Sequence, residues 1–295
     1  MSIDIAVVPV AGIGTRLLPA TKSQPKEMLP VGRKPVVQYV AEELAHSGIR
    51  RLLFITGARK TTIENHFDED SELITHLRDS GREHELAELD FERQDMQYFY
   101  TRQRRQLGLG HAVLCAAPLI GDQPFVVALG DSIIGMHAQS DIVGRMLDEF
   151  EKARADVVVA FEEVPESDVE KYGIAKPRGP VGDVFELESV VEKPVRGEQP
   201  SNLAVAARYV FSPKIFDFLR QTKRGKGNEI QLTDAMHEVL QAGGKGIGLR
   251  LKSGEQRFDI GNYQSYFRAF TEFALADDKE GDGLRDYLKE LLRET

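Results

Sequence analysis

The sequence predicts an α/β fold, specifically a Rossmann-like three-layer sandwich with a mostly parallel mixed central sheet and inserted helical segments. Apolar runs of strand length recur along the chain, and amphipathic stretches separate several of them. Strands that alternate with helices favour a largely parallel sheet that is covered on both faces. We therefore expect ligands at the carboxyl ends of the strands, where sheets of this type bind them.

The predicted elements follow from these patterns. The runs predicted as strands are IAVVPV, RLLFITG, MQYFYTR, PFVVALGDS, DVVVAFEEV, FELESVVEKP, NLAVAARYVF and KGIGLRL. The stretches predicted as crossover helices are Val36 to Ser47, Lys60 to Phe67 and Asp141 to Ala155.

The chain has no Pro/Gly/Ser-rich linker and no internal repeat, so residues 1–295 are predicted to form a single domain. Residues 68–95 are heavily charged and have a helical period, which predicts an inserted helical hairpin. Residues 277–295 are predicted to form a charged turn and a short amphipathic helix. That helix packs either on its own domain or on another subunit.

Charge and composition restrict the functions that are open to the chain. The formal net charge of −9 opposes binding to nucleic acid and to anionic membrane surfaces. The chain has no apolar segment of about 18 residues and no signal-peptide pattern, and its single cysteine, Cys115, fits a reducing compartment. We predict a cytoplasmic protein, and a small polyanion remains a candidate ligand because Arg16, Lys22 and Lys26 lie close together in the sequence.

The stretch from Val10 to Val31, VAGIGTRLLPATKSQPKEMLPV, follows the first predicted strand. Gly12 and Gly14 permit backbone angles that turn amides toward an anion, and Arg16 and Lys26 add positive charge. A phosphate-binding loop is one interpretation, and a glycine-rich turn without a ligand is the other. A dinucleotide fingerprint lacks its third glycine, and no Gly-Lys-Ser/Thr of a Walker loop follows.

Three further motifs place charged side chains at the ends of predicted strands. Asp131 is a candidate Mg²⁺ ligand or a cap of the next turn. Glu192 and Lys193, stopped by Pro194, suit sugar hydroxyls and a phosphate, or else form a solvated charge pair. Asp259 is a second metal carboxylate or a turn residue.

No nucleophilic triad, zinc spacing or paired-carboxylate hydrolase pattern is found in the sequence. Of the scattered histidines, His111 follows a second glycine turn and is assigned a structural role there. Phosphate-binding groups and metal carboxylates without a covalent catalyst are typical of phosphoryl or nucleotidyl transfer.

Several motifs together resemble the bacterial UTP–glucose-1-phosphate uridylyltransferases, or UDP-glucose pyrophosphorylases, from about Ile5 to about Phe273. They are AGIGTRLLPATKSQPKEMLPVGRKPVVQY, HFD, RQRRQLGLGHAVLCA, VEKP, PSNLAVAARY and NEIQLTDAM. The resemblance implies transfer of a uridylyl group from UTP to glucose 1-phosphate, giving UDP-glucose and pyrophosphate. It also implies Mg²⁺ as the cofactor and a homodimer or homotetramer.

The resemblance also assigns roles to residues. The implied nucleotide-binding residues are Ala11, Gly12, Gly14, Thr15, Arg16, Lys26, Gln103, Gly108 and Asp131. The implied sugar-phosphate-binding residues are Gly173, Glu192, Lys193 and Val205, and the implied metal ligands are Asp131 and Asp259. The implied catalytic residues are Arg16, Lys26, Asp131 and Lys193.

The chain departs from the family pattern in three places. Ser132 replaces a second acid, Ala207 replaces a glycine, and the stretch after Asp259 lacks the usual lysine and later glycine. Two alternatives therefore stay open: a catalytically weak regulatory paralogue, or the same chemistry with dTTP or another hexose 1-phosphate such as galactose 1-phosphate. The intact Gly14-Thr15-Arg16 turn favours catalysis.

Overall fold

The computed structural model describes residues 3–93 and 95–294. Residues 1, 2, 94 and 295 of the predicted domain, including one residue each of the predicted insertion and C-terminal segment, lie outside the described residues. The strands are β1 Ile5–Pro9, β2 Pro30–Val31, β3 Lys34–Pro35, β4 Arg51–Thr56, β5 Gln97–Arg102, β6 Phe125–Ala128, β7 Ser132–Ile134, β8 Val157–Glu163, β9 Gly173–Arg178, β10 Val184–Glu192, β11 Leu203–Phe211, β12 Gly246–Arg250 and β13 Arg257–Asp259. The α-helices are α1 Val36–His46, α2 Thr61–Phe67, α3 Ser71–Asp79, α4 Leu109–Leu114, α5 Ala117–Ile120, α6 Ile142–Ala153, α7 Ile215–Gln221, α8 Leu232–Gln241, α9 Tyr263–Leu275 and α10 Gly281–Glu294. Short 3-10 helices span Thr15–Leu17, Ala20–Lys22, Lys26–Met28, Glu83–Arg93, Met136–Ala138, Glu166–Lys171 and Lys226–Asn228.

The central sheet of the described residues has nine strands in the order β5-β4-β1-β6-β11-β8-β12-β10-β9. The pairs that join β5, β4, β1 and β6 are all parallel, as is the pair of β8 and β12. Strands β10 and β11 run against the others. The prediction of a mostly parallel mixed sheet is confirmed.

Helices cover both faces of this sheet because successive side chains of a strand point to opposite sides. On one face Val8 and Phe54 pack in a cluster with residues of α1, α2 and α6. On the other face Val7 and Leu53 pack with residues of α4, α7 and α8. The fold is therefore the three-layer sandwich that the sequence predicts.

A smaller core lies beside the sheet, where the antiparallel ribbon β7–β13 meets α9. Phe273 of α9 contacts Tyr39 of α1 and Phe258 of β13 edge to face, with ring centroids 5.1 and 5.0 Å apart. Ser132 is paired with Asp259 in the ribbon. This core therefore brings Asp131, which directly precedes the ribbon, close to Asp259.

Within the predicted insertion, residues 68–95, the structure has α3 and the 3-10 helix Glu83–Arg93. The predicted C-terminal segment contains α10. Across the described residues no helix is both long and apolar enough to cross a membrane.

Candidate active site

The loop after β1 is held in place by hydrogen bonds from within the loop and from a distant segment. Gly14 has φ +74°, a left-handed conformation that glycine adopts readily, and the 3-10 helix Thr15–Leu17 begins directly after it. Thr21 Oγ1 donates to the Gly14 carbonyl at 2.7 Å, and Gln106 Nε2 donates to the Ala11 carbonyl at 2.7 Å. The loop is thus fixed at both ends of its glycine turn.

Lys26 belongs to the same loop, and its Nζ forms an ion pair with Asp131. Burial disfavours the charged lysine, but the carboxylates of Asp131 and Glu27 outweigh it and raise the Lys26 pKa above its ordinary value. Lys26 is therefore a cation at neutral pH and is available to neutralise phosphate oxygens.

A second ion pair, which the sequence did not reveal, anchors the loop. Lys60 Nζ lies 2.7 Å from Glu27 Oε2, and the two side chains are only 6% and 2% exposed. Lys60 directly precedes α2. The pair therefore ties the loop around Lys26 to the helical layer.

Asp131 and Asp259 form a carboxylate pair next to Lys26. Burial, followed by the nearby Asp131 carboxylate, raises the pKa of Asp259. Burial also tends to raise the pKa of Asp131, but the ammonium group of Lys26 outweighs burial and lowers the Asp131 pKa. A β-carbon at Gly261 would lie 3.0 Å from Asp259 Oδ2 and 3.5 Å from Arg16 Nη2, so Arg16 reaches the same place.

A cleft of about 560 Å³ opens above this loop. It is lined by all nine residues that the resemblance assigns to the nucleotide: Ala11, Gly12, Gly14, Thr15, Arg16, Lys26, Gln103, Gly108 and Asp131. The structure thus brings these residues together, although they come from three separate segments of the chain. We call this space the loop cleft.

A neighbouring cleft of about 250 Å³ is lined by all four residues assigned to the sugar phosphate: Gly173, Glu192, Lys193 and Val205. Thr233 Oγ1 donates to Glu192 Oε2 at 3.2 Å, and Lys193 Nζ lies 3.1 Å from Glu192 Oε1. Ala207 also lines this space, which we call the strand cleft.

Arg257 was missed by the sequence analysis and lines the strand cleft. Its guanidinium lies 4.5 Å from the ring centroid of Tyr172, and its Nε donates to Glu162. Burial disfavours its charge, but Glu162 and Asp259 outweigh it and raise the Arg257 pKa. The available signal was the spacing, since Arg257 and Asp259 are two residues apart and lie on one face of β13.

The two clefts adjoin, because Leu109, Leu129 and Glu229 line both. Gly110 N donates to the Ile230 carbonyl at 2.9 Å, and Ile230 N donates to the Leu107 carbonyl at 2.7 Å. A β-carbon at Gly108 would lie 2.7 Å from Glu229 Cβ, so this approach requires glycine. The motifs GLGHA and EIQLTDA therefore form the shared wall together.

This arrangement suits a reaction between two polyanions. Arg16 and Lys26 lie in the loop cleft and Lys193 and Arg257 in the strand cleft, so cations line both sides of the boundary. Among residues 3–93 and 95–294, no group of three or more His, Cys, Asp or Glu side chains is arranged to hold a metal ion. A cation held by Asp131 and Asp259 would therefore need further oxygens from water and substrate.

A family model described as nucleotidyl transferase matches residues 5–275. The UTP–glucose-1-phosphate uridylyltransferase YngB of Bacillus subtilis (strain 168) is 46% identical over 291 residues, covering 98% of this chain and 96% of the relative.

Two solved structures of UDP-glucose pyrophosphorylases are also similar to this chain. A UTP-bound UDP-glucose pyrophosphorylase from Acinetobacter baumannii is 36% identical with a TM-score of 0.89, covering 98% of this chain and 99% of that chain. A UDP-glucose pyrophosphorylase complexed with UDP-glucose is 35% identical with a TM-score of 0.82, covering 93% and 100%. The resemblance predicted from the motifs is confirmed, and the chain belongs to the nucleotidyl transferase family.

Proposed function

We propose that this protein transfers the uridylyl group of UTP to glucose 1-phosphate, giving UDP-glucose and pyrophosphate. The observation that carries the proposal is the pair of adjoining clefts, which meet beside Leu109 and Leu129 and are lined by cations on both sides. The names of the full-length relatives and the UTP and UDP-glucose complexes of similar structures support the choice of substrates.

The loop cleft would hold UTP. Arg16 and Lys26 would neutralise the triphosphate, and the backbone of Ala11, Gly12, Gly14 and Thr15 would approach it closely. Gln103 and Gly108 would read the uracil. These groups are already held by the protein before the ligand arrives, which reduces the ordering cost of binding.

The strand cleft would hold glucose 1-phosphate. Glu192, fixed by Thr233, would accept hydrogen bonds from sugar hydroxyls, and Lys193 would bind the phosphate. Gly173 and Val205 would complete the wall against the sugar ring.

The reaction needs no general base, because the sugar phosphate already carries an ionised oxygen at neutral pH. That oxygen attacks the α-phosphorus of UTP in line, a new P–O bond forms, and the bond to the β-phosphate breaks with its electron pair leaving on pyrophosphate. Two like unit charges at about 4 Å repel by about 4 kcal/mol at an effective dielectric near 20. Arg16, Lys26 and Lys193 would offset this repulsion as the substrates come together.

Asp131 and Asp259 fit Mg²⁺, because this ion usually takes one or two carboxylates and leaves its other positions to water and substrate phosphate. Bound there, the ion would supply further charge neutralisation to the triphosphate. Ser132, which stands in place of a second acid, is buried in β7 and paired with Asp259. The two aspartates are therefore the carboxylates that we assign to the metal.

The proposal is tested by incubating the purified protein and Mg²⁺ with UTP or dTTP and with glucose 1-phosphate or galactose 1-phosphate, and by measuring pyrophosphate release. We expect release with UTP and glucose 1-phosphate. Release with dTTP but not UTP would overturn the uridylyl assignment. No release with any pair would favour the regulatory paralogue.

A cytoplasmic location and a homodimeric or homotetrameric state are further parts of the proposal. They rest on the single cysteine and on the resemblance respectively. Sedimentation of the full chain distinguishes a monomer from these assemblies.

A further inference from the structure

His111 has no role in the proposed reaction, yet it contacts a residue that lines the loop cleft. Gln103 is only 6% exposed, and its Nε2 lies 3.0 Å from the Gly108 carbonyl oxygen and 3.0 Å from His111 Nδ1. The side-chain amide of Gln103 is thus held by two neighbours at once.

These contacts fix which way the amide points. A carbonyl oxygen only accepts hydrogen bonds, so the amide nitrogen of Gln103 must face Gly108. The same nitrogen then donates to His111 Nδ1, which places the histidine proton on Nε2.

The surroundings of His111 favour this neutral form. Burial, and then the charge of Arg224, lower the His111 pKa. Cys115 Sγ lies 3.9 Å from the same Nδ1. No carboxylate contributes to the shift, so the ring is uncharged at neutral pH and can accept the hydrogen bond.

Both amide hydrogens of Gln103 are therefore used within the protein. Among the described residues no group donates to its Oε1, and Gln103 lines the cleft. The oxygen is the amide atom that a ligand can reach, so the cleft presents a fixed hydrogen-bond acceptor to the base.

We propose that His111 is a positioning residue, which holds the Gln103 amide with its oxygen toward the nucleotide base. The cleft then selects pyrimidines that carry N–H at ring position 3, such as uracil, over cytosine, whose N3 is an acceptor. This inference rests on the proposed binding of UTP in the loop cleft. Without the His111 acceptor only the Gly108 carbonyl still holds the amide nitrogen, so the amide turns its NH₂ group toward cytosine more often than in the wild type.

The test compares His111→Leu, which removes the acceptor, with His111→Asn, whose amide oxygen can take the place of Nδ1. Binding of UTP and of CTP to the full chain is measured by calorimetry, alongside kcat and KM. For His111→Leu we expect the UTP-to-CTP affinity ratio to fall about tenfold, the size of one lost hydrogen bond. The KM of UTP rises, whereas kcat and the KM of glucose 1-phosphate change little. His111→Asn retains the ratio.

His66→Leu is a matched control. His66 Nε2 also lies 3.0 Å from a glutamine, Gln38 Oε1, but neither residue lines either cleft. This substitution removes a half-buried histidine–glutamine contact of the same kind, and the UTP-to-CTP ratio is expected to stay at the wild-type value.

A pH series gives a readout that a purely structural role would not move. Protonation of His111 at Nδ1 abolishes the acceptor, so UTP affinity of the wild type falls as the pH drops below the usual histidine range. His111→Asn cannot titrate there. Protonation of UTP itself affects both proteins equally, so the difference in UTP affinity between the wild type and His111→Asn reports on His111 alone.

Three results would overturn the inference: an unchanged UTP-to-CTP ratio in His111→Leu, an equal loss in His111→Asn, or identical pH profiles for wild type and His111→Asn. The last comparison decides the matter if His111→Leu does not fold. Wild-type protein that binds UTP over CTP but releases no pyrophosphate would contradict the proposed function and leave this inference standing.

Discussion

Two residues of the strand cleft hold backbone conformations that side chains rarely adopt. Lys193 has φ +47° and Ala207 has φ +59°. The left-handed region costs a non-glycine residue about 1–2 kcal/mol, and such costs cluster at functional sites. The sequence predicted Glu192 and Lys193 from their place before a proline. It could not predict the strain, because φ depends on where β10 ends and on the shift of register in the middle of β11.

Lys193→Ala is expected to lower kcat by orders of magnitude without unfolding the protein, because it removes the lysine that we propose binds the sugar phosphate in the strand cleft. Pyrophosphate release and circular dichroism measure the two effects. Lys176→Ala is the matched control, since Lys176 pairs with Glu188 on exposed strands and lies outside both clefts. Near-normal turnover of Lys193→Ala would remove this lysine from the site.

Ala207→Gly is expected to change selectivity more than stability. Glycine removes the left-handed strain, which stabilises the folded protein by about 1 kcal/mol. Its greater freedom in the unfolded chain destabilises the folded protein by about the same amount. Loss of the methyl group widens the strand cleft, so kcat/KM for galactose 1-phosphate should rise relative to glucose 1-phosphate. An unchanged ratio would mean that the methyl group does not contact the sugar.

At the scale of elements, a buried ion pair joins three parts of the fold. Arg208 of β11 donates through Nε to Glu43 of α1 at 3.1 Å, and both side chains are fully buried. Its other nitrogens donate to the carbonyls of Ala207 and Ser132 at 3.0 and 2.9 Å. The pair therefore supports the backbone of both the strand cleft, at Ala207, and the β7–β13 ribbon, at Ser132.

Glu43→Ala is expected to lower the free energy of unfolding by about 3–5 kcal/mol, because it leaves a guanidinium buried without its counter-ion. Urea unfolding measures the change. Asp286→Ala is the control, since its partner Lys289 lies one turn along α10 on the surface, and little change is expected there. A loss as small as that of the control would contradict the structural role of the pair.

The eight strands predicted from apolar runs are all present in the central sheet, including the edge strand β5, whose residues are only half-buried or exposed. Strand β9 was missed because it lies at the edge, where Lys176 and Pro177 are tolerated. Strands β7 and β13 are three residues long, too short for a periodicity to show. The site residues could be predicted from the sequence where they lie together in a single motif, as in residues 12–26.

Contacts between distant segments were not predictable. Glu27 and Lys60 are 33 residues apart, and nothing local in either segment indicates that they pair. The same is true of Arg257, which reaches Tyr172 and Glu162 only through the order of strands in the sheet.

For the whole molecule, the loop cleft lies at the carboxyl ends of β1 and β6, as expected for an α/β sheet. The chain has a net charge of −9, yet cations line both clefts. Cationic side chains therefore face the places where the anions would bind, next to the acids Glu27, Asp131 and Glu229 of the loop cleft.

Removal of metal is expected to abolish turnover and leave Tm unchanged, because the hydrophobic cores among the described residues are built from side chains alone. Thermal unfolding with and without EDTA measures this. With Mg²⁺ restored, UTP at a hundred times its Kd should add about 2.7 kcal/mol of stability. A fall in Tm on chelation would mean that the metal is structural.

The close packing of Gly108 and Gly110 against Ile230 has a consequence for protein engineering. The segment that carries Gln103, which we propose to read the base, meets the segment that carries Thr233 of the strand cleft in one contact made of two backbone hydrogen bonds. Transplanting either segment alone from another nucleotidyltransferase would break that contact. A chimaera with a new nucleotide preference must therefore exchange both segments as one module, although more than a hundred residues separate them in the chain.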